Sequence, residues 1–347
     1  MKKVLLVTEI LSPPYDEGIK KTVFNLYTNL NKSHNVKVIA RKAFEDEHIE
    51  QVDTNALFIS SHIKETIKSF NPDVIIYFPY ASATFAAYLR HRVLSFYGKK
   101  AKTILLALQP KPLKKWQQFI VNFIKPKNAL TPSPLLKEFW ESKNIECKML
   151  PLLTDLNTFT PISDKTSKQK LRAKYNLPQD AFIISHMGHL NEGRNLKSLI
   201  PLQKAGNQIV VVGSSSTPTD ALGPATIKQE LVAAGAIVLD GYIDKIQEIY
   251  QLSDIYIFPV VAKNGSIGMP LSIMEARACA TPVVTTNFGS LKHYLGDDNN
   301  GIIYSDPENF LQAVNSIKNS VNNNYSNSTV ASVNEQFFSI IRNEIDQ

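Results

Sequence analysis

The chain has 347 residues, of which 44% are hydrophobic, 20% charged and 9% aromatic, and its formal net charge is +7 at pH 7. This length fits about two domains of roughly 100–200 residues, and the composition excludes collagen-like, disulfide-scaffold and wholly disordered proteins. Two cysteines, Cys147 and Cys279, are too few for a disulfide framework or a zinc site and are typical of a reducing cytoplasm.

The amino terminus lacks the features of a secretion signal. Its apolar run Val4–Val7 is followed at once by Thr8 and Glu9, too early for a signal-peptide core. No window of the sequence approaches the roughly 20 apolar residues that a transmembrane helix needs. We therefore expect a cytoplasmic protein that lies at most on the surface of a membrane.

In the first half of the chain, short β-branched strands alternate with helical patterns. The predicted strands are Val4–Glu9, Asn35–Arg41, Asp73–Phe78, Thr103–Leu108, Ala129–Ser133 and Lys148–Leu152. The predicted helices are Lys21–Lys32, Ser60–Phe70, Ala83–Phe96, Lys111–Pro126 and Leu135–Lys143. Continuous apolar strands separated by helices are typical of a parallel sheet covered on both faces.

The helix predicted over Lys111–Pro126 lies in a basic region. Between Asp73 and Glu138 the sequence has 11 lysines and arginines and no acidic residue. The helix itself carries an apolar stripe flanked by lysines, which we predict to be membrane-surface residues: Lys111, Lys114, Lys115, Trp116, Phe119, Phe123, Lys125 and Lys127.

This pattern is typical of an interfacial helix, with lysines at anionic head groups and aromatic rings at the acyl boundary. A core helix with a solvated basic edge would show the same periodicity. No nucleic acid is expected as a partner, because no recognised binding motif accompanies the charge.

A polar linker over Leu153–Lys168, which shows no apolar periodicity, separates the first series from a second. The second series of predicted strands comprises Ile183–Met187, Gln208–Val212, Ala236–Leu239, Asp254–Phe258, Pro282–Thr286 and Gly301–Tyr304. Its predicted helices are Leu196–Ala205, Ile227–Ala234, Lys245–Leu252, Leu271–Ala280, Leu291–Leu295 and Asn309–Ser320.

We therefore expect two α/β domains, residues 1–160 and 161–328. The Asn-rich stretch Asn322–Ser328 is predicted to be a surface loop. The remaining segment, 329–347, contains an amphipathic helix over about Thr329–Glu344 that we expect to cross back to the first domain. Open α/β sheets bind ligands at the carboxyl ends of their strands, so a nucleotide binder or a two-substrate enzyme is the natural expectation.

An ordered set of segments resembles the motifs of the family 4 glycosyltransferases. In the second half these segments are Gly188–Ile200, Asp240–Ile243, Ser253–Pro259, Met269–Thr286 and Asn300–Tyr304. In the first half, Ser12–Gly18 is similar to the family's glycine loop, and Thr154–Phe159 is similar to its interdomain linker. The resemblance covers nearly the whole chain. It implies a GT-B fold, in which two Rossmann-like, doubly wound parallel-sheet domains face each other across a cleft, and retaining transfer from a nucleotide sugar.

One helix start favours the same chemistry. Pro270 can precede a helix that begins near Leu271, whose free N–H groups and positive dipole end suit the diphosphate of a nucleotide sugar. Ser272 can add a hydroxyl donor. By the resemblance, Glu275 accepts hydrogen bonds from the ribose hydroxyls; alternatively, it is a carboxylate stabilised by the helix dipole alone.

The resemblance assigns further residues to the site. Arg194 matches the family's lysine that stabilises the leaving diphosphate, and a guanidinium there can bind two phosphate oxygens. His189 stands where the family has an arginine; it either donates to phosphate or is a locally bonded strand-end histidine. The predicted donor-binding set is completed by Gly18, Gly188, Tyr242 and Ile243.

Two positions depart from the family pattern. Ile267, eight residues before Glu275, replaces the glutamate that contacts the transferred sugar. Gln109 aligns with a histidine near that sugar, and we retain it among the predicted catalytic residues, although a glutamine cannot act as an acid or base. Two alternatives stay open: a catalytically reduced nucleotide- or glycan-binding relative, and a nucleotide-sugar epimerase, for which we cannot place the extra carboxylates.

The predicted activity is transfer of a sugar from a UDP- or GDP-sugar to a glycan or lipid-linked acceptor, in cell-envelope glycan, glycolipid or protein glycosylation. The resemblance implies that positive side chains replace a metal at the diphosphate, so no metal or other cofactor is expected. It also implies retention by front-face attack. No carboxylate pair of the hydrolase type is identifiable, which argues against a glycosidase.

Overall fold

The structure is a computed structural model. It describes the chain except residues 14, 16, 17, 45, 163, 215–222, 264, 298–300, 321–324 and 347, and it describes only the backbone of 214, 223 and 224. The chain divides into two compact units. The first comprises Met1–Leu153, Ile267–Met269 and the residues from Asn334 onward, and the second comprises Thr154–Ser266 and Pro270–Val333.

The first unit contains a seven-stranded parallel sheet. Its strands are β1 (Lys3–Leu11), β2 (Asn35–Ala43), β3 (Ile49–Gln51), β4 (Val74–Phe78), β5 (Lys102–Leu106), β6 (Asn128–Thr131) and β7 (Glu146–Met149), in the order β3-β2-β1-β4-β5-β6-β7. The helices are α1 (Gly18–Leu30), α2 (Ser61–Phe70), α3 (Phe85–Tyr97), α4 (Lys115–Ile124) and α5 (Pro134–Glu141). Every residue of β4 is buried, as expected for a strand covered on both faces.

Local sequence signals account for the helix ends in this unit. Ser60 caps α2 by accepting a hydrogen bond from the Ile63 amide, and Asn71 ends the helix in the left-handed conformation. Ser133 caps α5 in the same way, with Pro134 at the first helical position. Trp140, a buried residue of α5, donates its indole N–H to Tyr88 Oη at 2.8 Å.

The second unit contains a six-stranded parallel sheet. Its strands are β8 (Ile183–His189), β9 (Gln208–Ser214), β10 (Ile237–Asp240), β11 (Ile255–Phe258), β12 (Val283–Thr285) and β13 (Ile302–Tyr304), in the order β10-β9-β8-β11-β12-β13. Its helices are α6 (Lys165–Lys174), α7 (Ile200–Lys204), α8 (Gly223–Ala233), α9 (Ile246–Leu252), α10 (Leu271–Ala278), α11 (Leu291–Leu295) and α12 (Phe310–Lys318). Ile184, Val211, Ile257 and Val284 form the centre of its core.

Some predicted elements are wrong in detail. Helix α6 overlaps the predicted linker Leu153–Lys168; it is nearly all polar, so it shows no apolar stripe, and Asp164 caps it by accepting from the Ser167 amide at 2.7 Å. The predicted helix Leu196–Ala205 is a 3₁₀ turn followed by the short α7, because Pro201 has no N–H to continue an α-helical ladder.

The last helix, α13 (Ser328–Asp346), begins in the second unit and continues into the first from Asn334. Within the first unit, Glu344 forms ion pairs with Lys102 at 2.8 Å and Lys148 at 2.5 Å. Burial raises the pKa of Glu344, but the hydrogen bonds from both lysines outweigh it and lower the pKa below its usual value. Part of the predicted loop Asn322–Ser328 lies outside the described residues, and its last residue begins α13.

Among the helices that the structure describes, none combines the length and the apolar character required to cross a bilayer.

Candidate functional site

The topology of the second sheet marks one place for a ligand. The strand order reverses between β8 and β11, and open α/β sheets bind ligands beside the carboxyl ends of the strands at such a switch point. Strand β8 ends at His189 and β11 at Phe258. The residues that follow these two strands are therefore the first candidates for binding.

The loop after β8 places Arg194 at this switch point. A single 3₁₀ turn spans Glu192–Arg194, and Asn195 follows in the left-handed conformation and donates its side-chain N–H to Pro259 O at 3.1 Å. Asn195 thereby ties the loop to the end of β11. Arg194 Nη1 donates to Ser266 Oγ at 3.3 Å, and the guanidinium lies over the Phe258 ring.

Arg194 is an incompletely satisfied cation. Its Nε is shielded from solvent and has no hydrogen-bond partner among the residues that the structure describes, and none of the described carboxylates forms an ion pair with it. Burial lowers the pKa of Arg194. A partly buried cation without a counter-charge favours the binding of an anion, because its desolvation is otherwise uncompensated.

The switch point of the first sheet, between β1 and β4, contrasts with this arrangement. There the buried Glu9 pairs with Arg90 and accepts hydrogen bonds from Tyr77 Oη at 3.0 Å and the Tyr80 amide at 2.9 Å. Charge at that place is therefore balanced inside the fold. Arg194, in contrast, has no such counter-charge among the described residues.

A tyrosine on β11 binds the start of α10 and lies within the electrostatic influence of Arg194. Tyr256 Oη donates to Ser272 Oγ at 2.7 Å and lies 3.5 Å from Met187 O at the end of β8. Burial raises the pKa of Tyr256, and the charge of Arg194 opposes that shift. Pro270 precedes α10 without a side-chain cap, so the first N–H groups of the helix, from Leu271 onward, are not bonded by a capping side chain.

Glu275 lies deeper than the sequence analysis implied. Glu275 is only 4% exposed, and its Oε2 accepts a hydrogen bond from Tyr250 Oη at 2.8 Å. The Tyr250 ring packs edge-on against Tyr256, with centroids 5.5 Å apart. Glu275, on α10, therefore belongs to a buried network with Tyr250 and Tyr256, and its contact with a ribose stays a prediction.

The other predicted donor residues of the second unit lie along the same sheet edge. Gly188 and the partly exposed His189 are the last residues of β8. Gly241 follows β10 with a φ of 90°, and Tyr242 beyond it is exposed and Ile243 partly exposed. Asn300, the first residue of the predicted turn Asn300–Tyr304, lies outside the described part of the chain.

Gly18 and Gln109 belong to the first unit. Gly18 is the first residue of α1, although residues 14, 16 and 17 of the preceding loop are not described. Gln109 follows β5. Its backbone N–H donates to Ser82 Oγ at 2.7 Å, and its backbone carbonyl oxygen accepts from the same hydroxyl.

The segment Ile267–Met269, which contains the position of the replaced glutamate, also packs in the first unit. Gly268 donates its N–H to Leu108 O at 3.0 Å, and the buried Met269 accepts from the Leu152 amide at 3.2 Å. A Cβ on Gly268 would lie 2.6 Å from the Ser133 Cα, so this glycine is required for close approach. Nothing in the sequence indicated which unit holds this segment.

Helix α4 exposes the aromatic residues of its predicted stripe. Trp116, Phe119 and Phe123 are 53%, 63% and 70% exposed, and Val121 is the helix residue that is buried. The core-helix alternative is therefore wrong for these three side chains. Among the flanking lysines, Lys125 differs, because its Nζ donates to the carbonyl oxygens of residues 143 and 144.

The predicted helix Lys111–Pro126 is shorter in the structure and begins at Lys115, where the Gln117 side chain accepts from the Lys114 amide at 2.8 Å. Lys111, Lys114, Lys115 and Lys127 lie at its two ends. Whether this surface contacts a membrane stays a prediction.

Within the described ranges, no three His, Cys, Asp or Glu side chains are grouped so that they could hold a metal ion.

Comparisons with known proteins find similarity in the second half of the chain. Residues 186–319, which include Gly188, Arg194 and Glu275, match the family described as "Glycosyl transferases group 1". A D-inositol 3-phosphate glycosyltransferase of Xylanimonas cellulosilytica is 28% identical over 163 residues, which are 45% of this chain and 38% of that protein. The chain thus matches about two fifths of the length of this curated relative.

Two solved structures resemble nearly the whole chain. The Anabaena protein HepE, crystallised with UDP and glucose, has a TM-score of 0.75 at 14% identity and covers 99% of this chain and 100% of its own. The catalytic domain of starch synthase IV from Arabidopsis thaliana, bound to ADP and acarbose, has a TM-score of 0.72 at 14% identity over 100% of both chains. The predicted fold class is confirmed: the chain has the GT-B fold with two Rossmann-like parallel-sheet domains.

Proposed function

We propose that the protein is a glycosyltransferase that transfers a sugar, with retention, from a nucleotide sugar to a glycan or lipid-linked acceptor. The observation that carries the proposal is Arg194: a cation without a described counter-charge, at the switch point of the second sheet, inside the segment that matches glycosyl transferases of group 1. The family 4 pattern, with Ile267 in place of its first glutamate, belongs to this proposal.

The donor diphosphate would bind between Arg194 and the start of α10. Negative charge develops on the leaving phosphate as the glycosidic bond breaks, and fixed positive groups stabilise that charge. Arg194, His189 and the N–H groups from Leu271 onward would supply it in place of a metal ion. The acceptor hydroxyl would attack the same face of the sugar and lose its proton to the departing phosphate.

The donor class is proposed from the neighbours' ligands. HepE was crystallised with UDP-glucose, and starch synthase IV with ADP, so nucleoside diphosphates occur in proteins of this fold. We propose a UDP- or GDP-sugar, with Tyr242 and Ile243 beside the base. The acceptor would belong to cell-envelope glycan, glycolipid or protein glycosylation.

The acceptor would be reached at the inner face of a membrane. The aromatic side chains Trp116, Phe119 and Phe123 point away from the core, and the surrounding lysines carry positive charge. Aromatic rings at the acyl boundary and lysines at anionic head groups are the two components of interfacial binding. We therefore propose that α4 docks a cytoplasmic, peripheral enzyme on anionic lipid.

The test begins with isothermal titration of UDP, GDP, ADP and inorganic pyrophosphate, followed by assay of the matching nucleotide sugars with lipid-extracted acceptors. Saturable binding of one diphosphate together with turnover supports the proposal. Saturable binding without turnover on any acceptor would instead favour the catalytically reduced relative, which Ile267 and Gln109 make the second candidate. Absence of binding to every diphosphate contradicts the transferase and the nucleotide-binding relative.

A further inference from the structure

His186 has a fully buried imidazole to which the proposed chemistry assigns no part. It lies on β8, two residues before Gly188, and is 0% exposed. Its ring stacks on Tyr256 with centroids 6.1 Å apart and planes inclined by 8°. A buried imidazole has two nitrogen atoms that both require hydrogen-bond partners.

One nitrogen defines the tautomer. His186 Nδ1 lies 2.9 Å from Ile257 O, and a carbonyl oxygen can only accept, so Nδ1 carries the proton. Burial, and then the nearby charge of Arg194, lower the pKa of His186 to about 3, although the bond to Ile257 opposes this. The ring is therefore neutral at pH 7, and Nε2 presents a bare lone pair that can only accept.

His186 Nε2 and the Arg194 guanidinium lie near the same backbone position, Gly188. His186 Nε2 is shielded from solvent and, like Arg194 Nε, has no hydrogen-bond partner within the described part of the chain. A methyl group on Gly188 would lie 3.2 Å from His186 Nε2 and 3.6 Å from both Cζ and Nη1 of Arg194. The imidazole and the guanidinium therefore both lie within contact distance of the same backbone position, Gly188.

We infer that His186 is a positioning residue for Arg194: its bare Nε2 accepts a hydrogen bond from the guanidinium through one water and orients it at the switch point. The pairing suits an anion site because a neutral acceptor fixes the direction of the guanidinium and leaves its charge in place. A carboxylate in the same position would fix it equally well but would neutralise the charge that a phosphate needs.

The inference about diphosphate binding rests on the proposed function, whereas the link between His186 and Arg194 does not. Three variants separate the two nitrogens. His186→Phe keeps the ring and its stack on Tyr256 but removes both nitrogens. His186→Asn retains a donor near Nδ1 and loses Nε2, and His186→Gln places an amide near the position of Nε2.

The first measurement is the affinity for inorganic pyrophosphate and UDP, by titration calorimetry, in a double-mutant cycle with Arg194→Met. We expect His186→Phe and His186→Asn to weaken pyrophosphate binding about tenfold, the effect of one hydrogen bond to a charged group. His186→Gln should recover part of the loss, and His186→Phe should have no further effect in the Arg194→Met background. An equal loss in both backgrounds, or wild-type affinity in His186→Phe, would overturn the inference.

The second measurement needs no ligand. Nitrogen-15 NMR of arginine- and histidine-labelled protein, assigned through Arg194→Lys, should show a protonated Nδ1 and a bare Nε2 at His186. The Arg194 Nε–H signal should exchange slowly with solvent in the wild type and faster in His186→Phe. If the wild type binds no pyrophosphate, the proposed function fails while this measurement still decides the inference: unchanged Arg194 exchange in His186→Phe refutes it.

Discussion

Arg194 is the residue whose replacement separates ground-state binding from catalysis. The charge on the leaving phosphate is greatest in the transition state, so a guanidinium aimed at it contributes more to turnover than to donor affinity. We expect Arg194→Ala to lower kcat by about 10²–10³-fold and to weaken donor binding much less. Steady-state kinetics together with donor titration measure the two effects.

Arg194→Lys provides the matched control for that experiment. Lysine keeps the positive charge, but its single ammonium group replaces the guanidinium, whose Nη1 donates to Ser266. We expect it to retain part of the turnover. Equal losses of kcat and donor affinity in Arg194→Ala would remove the assignment of Arg194 to the leaving group.

Glu275 allows ribose binding to be distinguished from packing. Glu275→Ala and Tyr250→Phe each break the buried hydrogen bond between these side chains, and each should destabilise the fold by about 1–3 kcal/mol. If the Glu275 carboxylate accepts hydrogen bonds from the ribose hydroxyls, its removal should also lower the affinity for nucleoside diphosphates. We therefore expect Glu275→Ala, but not Tyr250→Phe, to weaken that binding about tenfold. Urea unfolding and titration calorimetry give the two quantities. Equal affinity losses in both variants would point to packing.

The sequence identified individual residues of the candidate site only where a recognisable motif contained them. Arg194 and Ser272 lie in segments that resemble known motifs, so their type and order identified them. Tyr256 and Ser266 carried no such signal, because a tyrosine in a strand and a serine in a loop are common. Their contacts, with Ser272 and Arg194, join residues 16 and 72 positions apart and become visible only when the chain is folded.

At the scale of the element, α4 gives a test of membrane docking. We expect the change of Lys114, Lys115 and Lys127 to Gln to release the protein from anionic liposomes, because each lysine near a charged surface contributes about 1 kcal/mol. Lys125 is left intact, since its ammonium group binds backbone carbonyl oxygens inside the unit. Co-sedimentation with phosphatidylserine vesicles measures the bound fraction.

The control removes the same charge elsewhere. Lys165, Lys170 and Lys204 are exposed lysines of the second unit, and their change to Gln should leave vesicle binding unaltered. A further variant, Phe119→Ser with Phe123→Ser, removes two of the three exposed rings and should reduce binding to neutral and anionic vesicles alike. Undiminished binding of the α4 lysine variant would contradict the docking surface.

Elements were predicted where burial on two faces left a continuous apolar run, as in β4, or where a capping residue preceded a periodic pattern, as in α2. Helix α6 was missed because its sequence is nearly all polar. Even its single buried residue, Arg172, is charged, so no apolar stripe marks the helix. The direction in which α4 presents its rings was left open for a physical reason. Periodicity shows that apolar residues share one face, but it does not show what that face contacts.

For the whole molecule, the α/β alternation was enough to predict two parallel sheets, yet it did not assign every segment to its unit. Ile267–Met269 and the residues from Asn334 onward belong to the first unit although they lie far along the chain. Their assignment depends on individual contacts, such as the Gly268 amide with Leu108 O and Glu344 with Lys102. Both units alternate strands and helices in the same way, so this pattern cannot assign a short segment to one of them.

Two buried histidines, one in each unit, should make the folded protein less stable in acid. Burial lowers the pKa of His91 to about 4 and that of His186 to about 3, whereas an unfolded histidine titrates near 6.5. Below pH 6.5 the unfolded chain therefore binds protons that the folded chain does not, and the free energy of unfolding falls as the pH falls towards these values.

The first unit can be followed separately because it holds both tryptophans, Trp116 and Trp140. Urea unfolding monitored by tryptophan fluorescence should show a loss of about 2 kcal/mol between pH 7 and pH 5, since 1.5 pH units lie below the unfolded pKa. His91→Leu should flatten that profile, because an apolar side chain binds no proton, and His186→Phe in the second unit should leave it unchanged. A flat wild-type profile, or an equal slope in His91→Leu, would show that His91 is protonated in the folded protein.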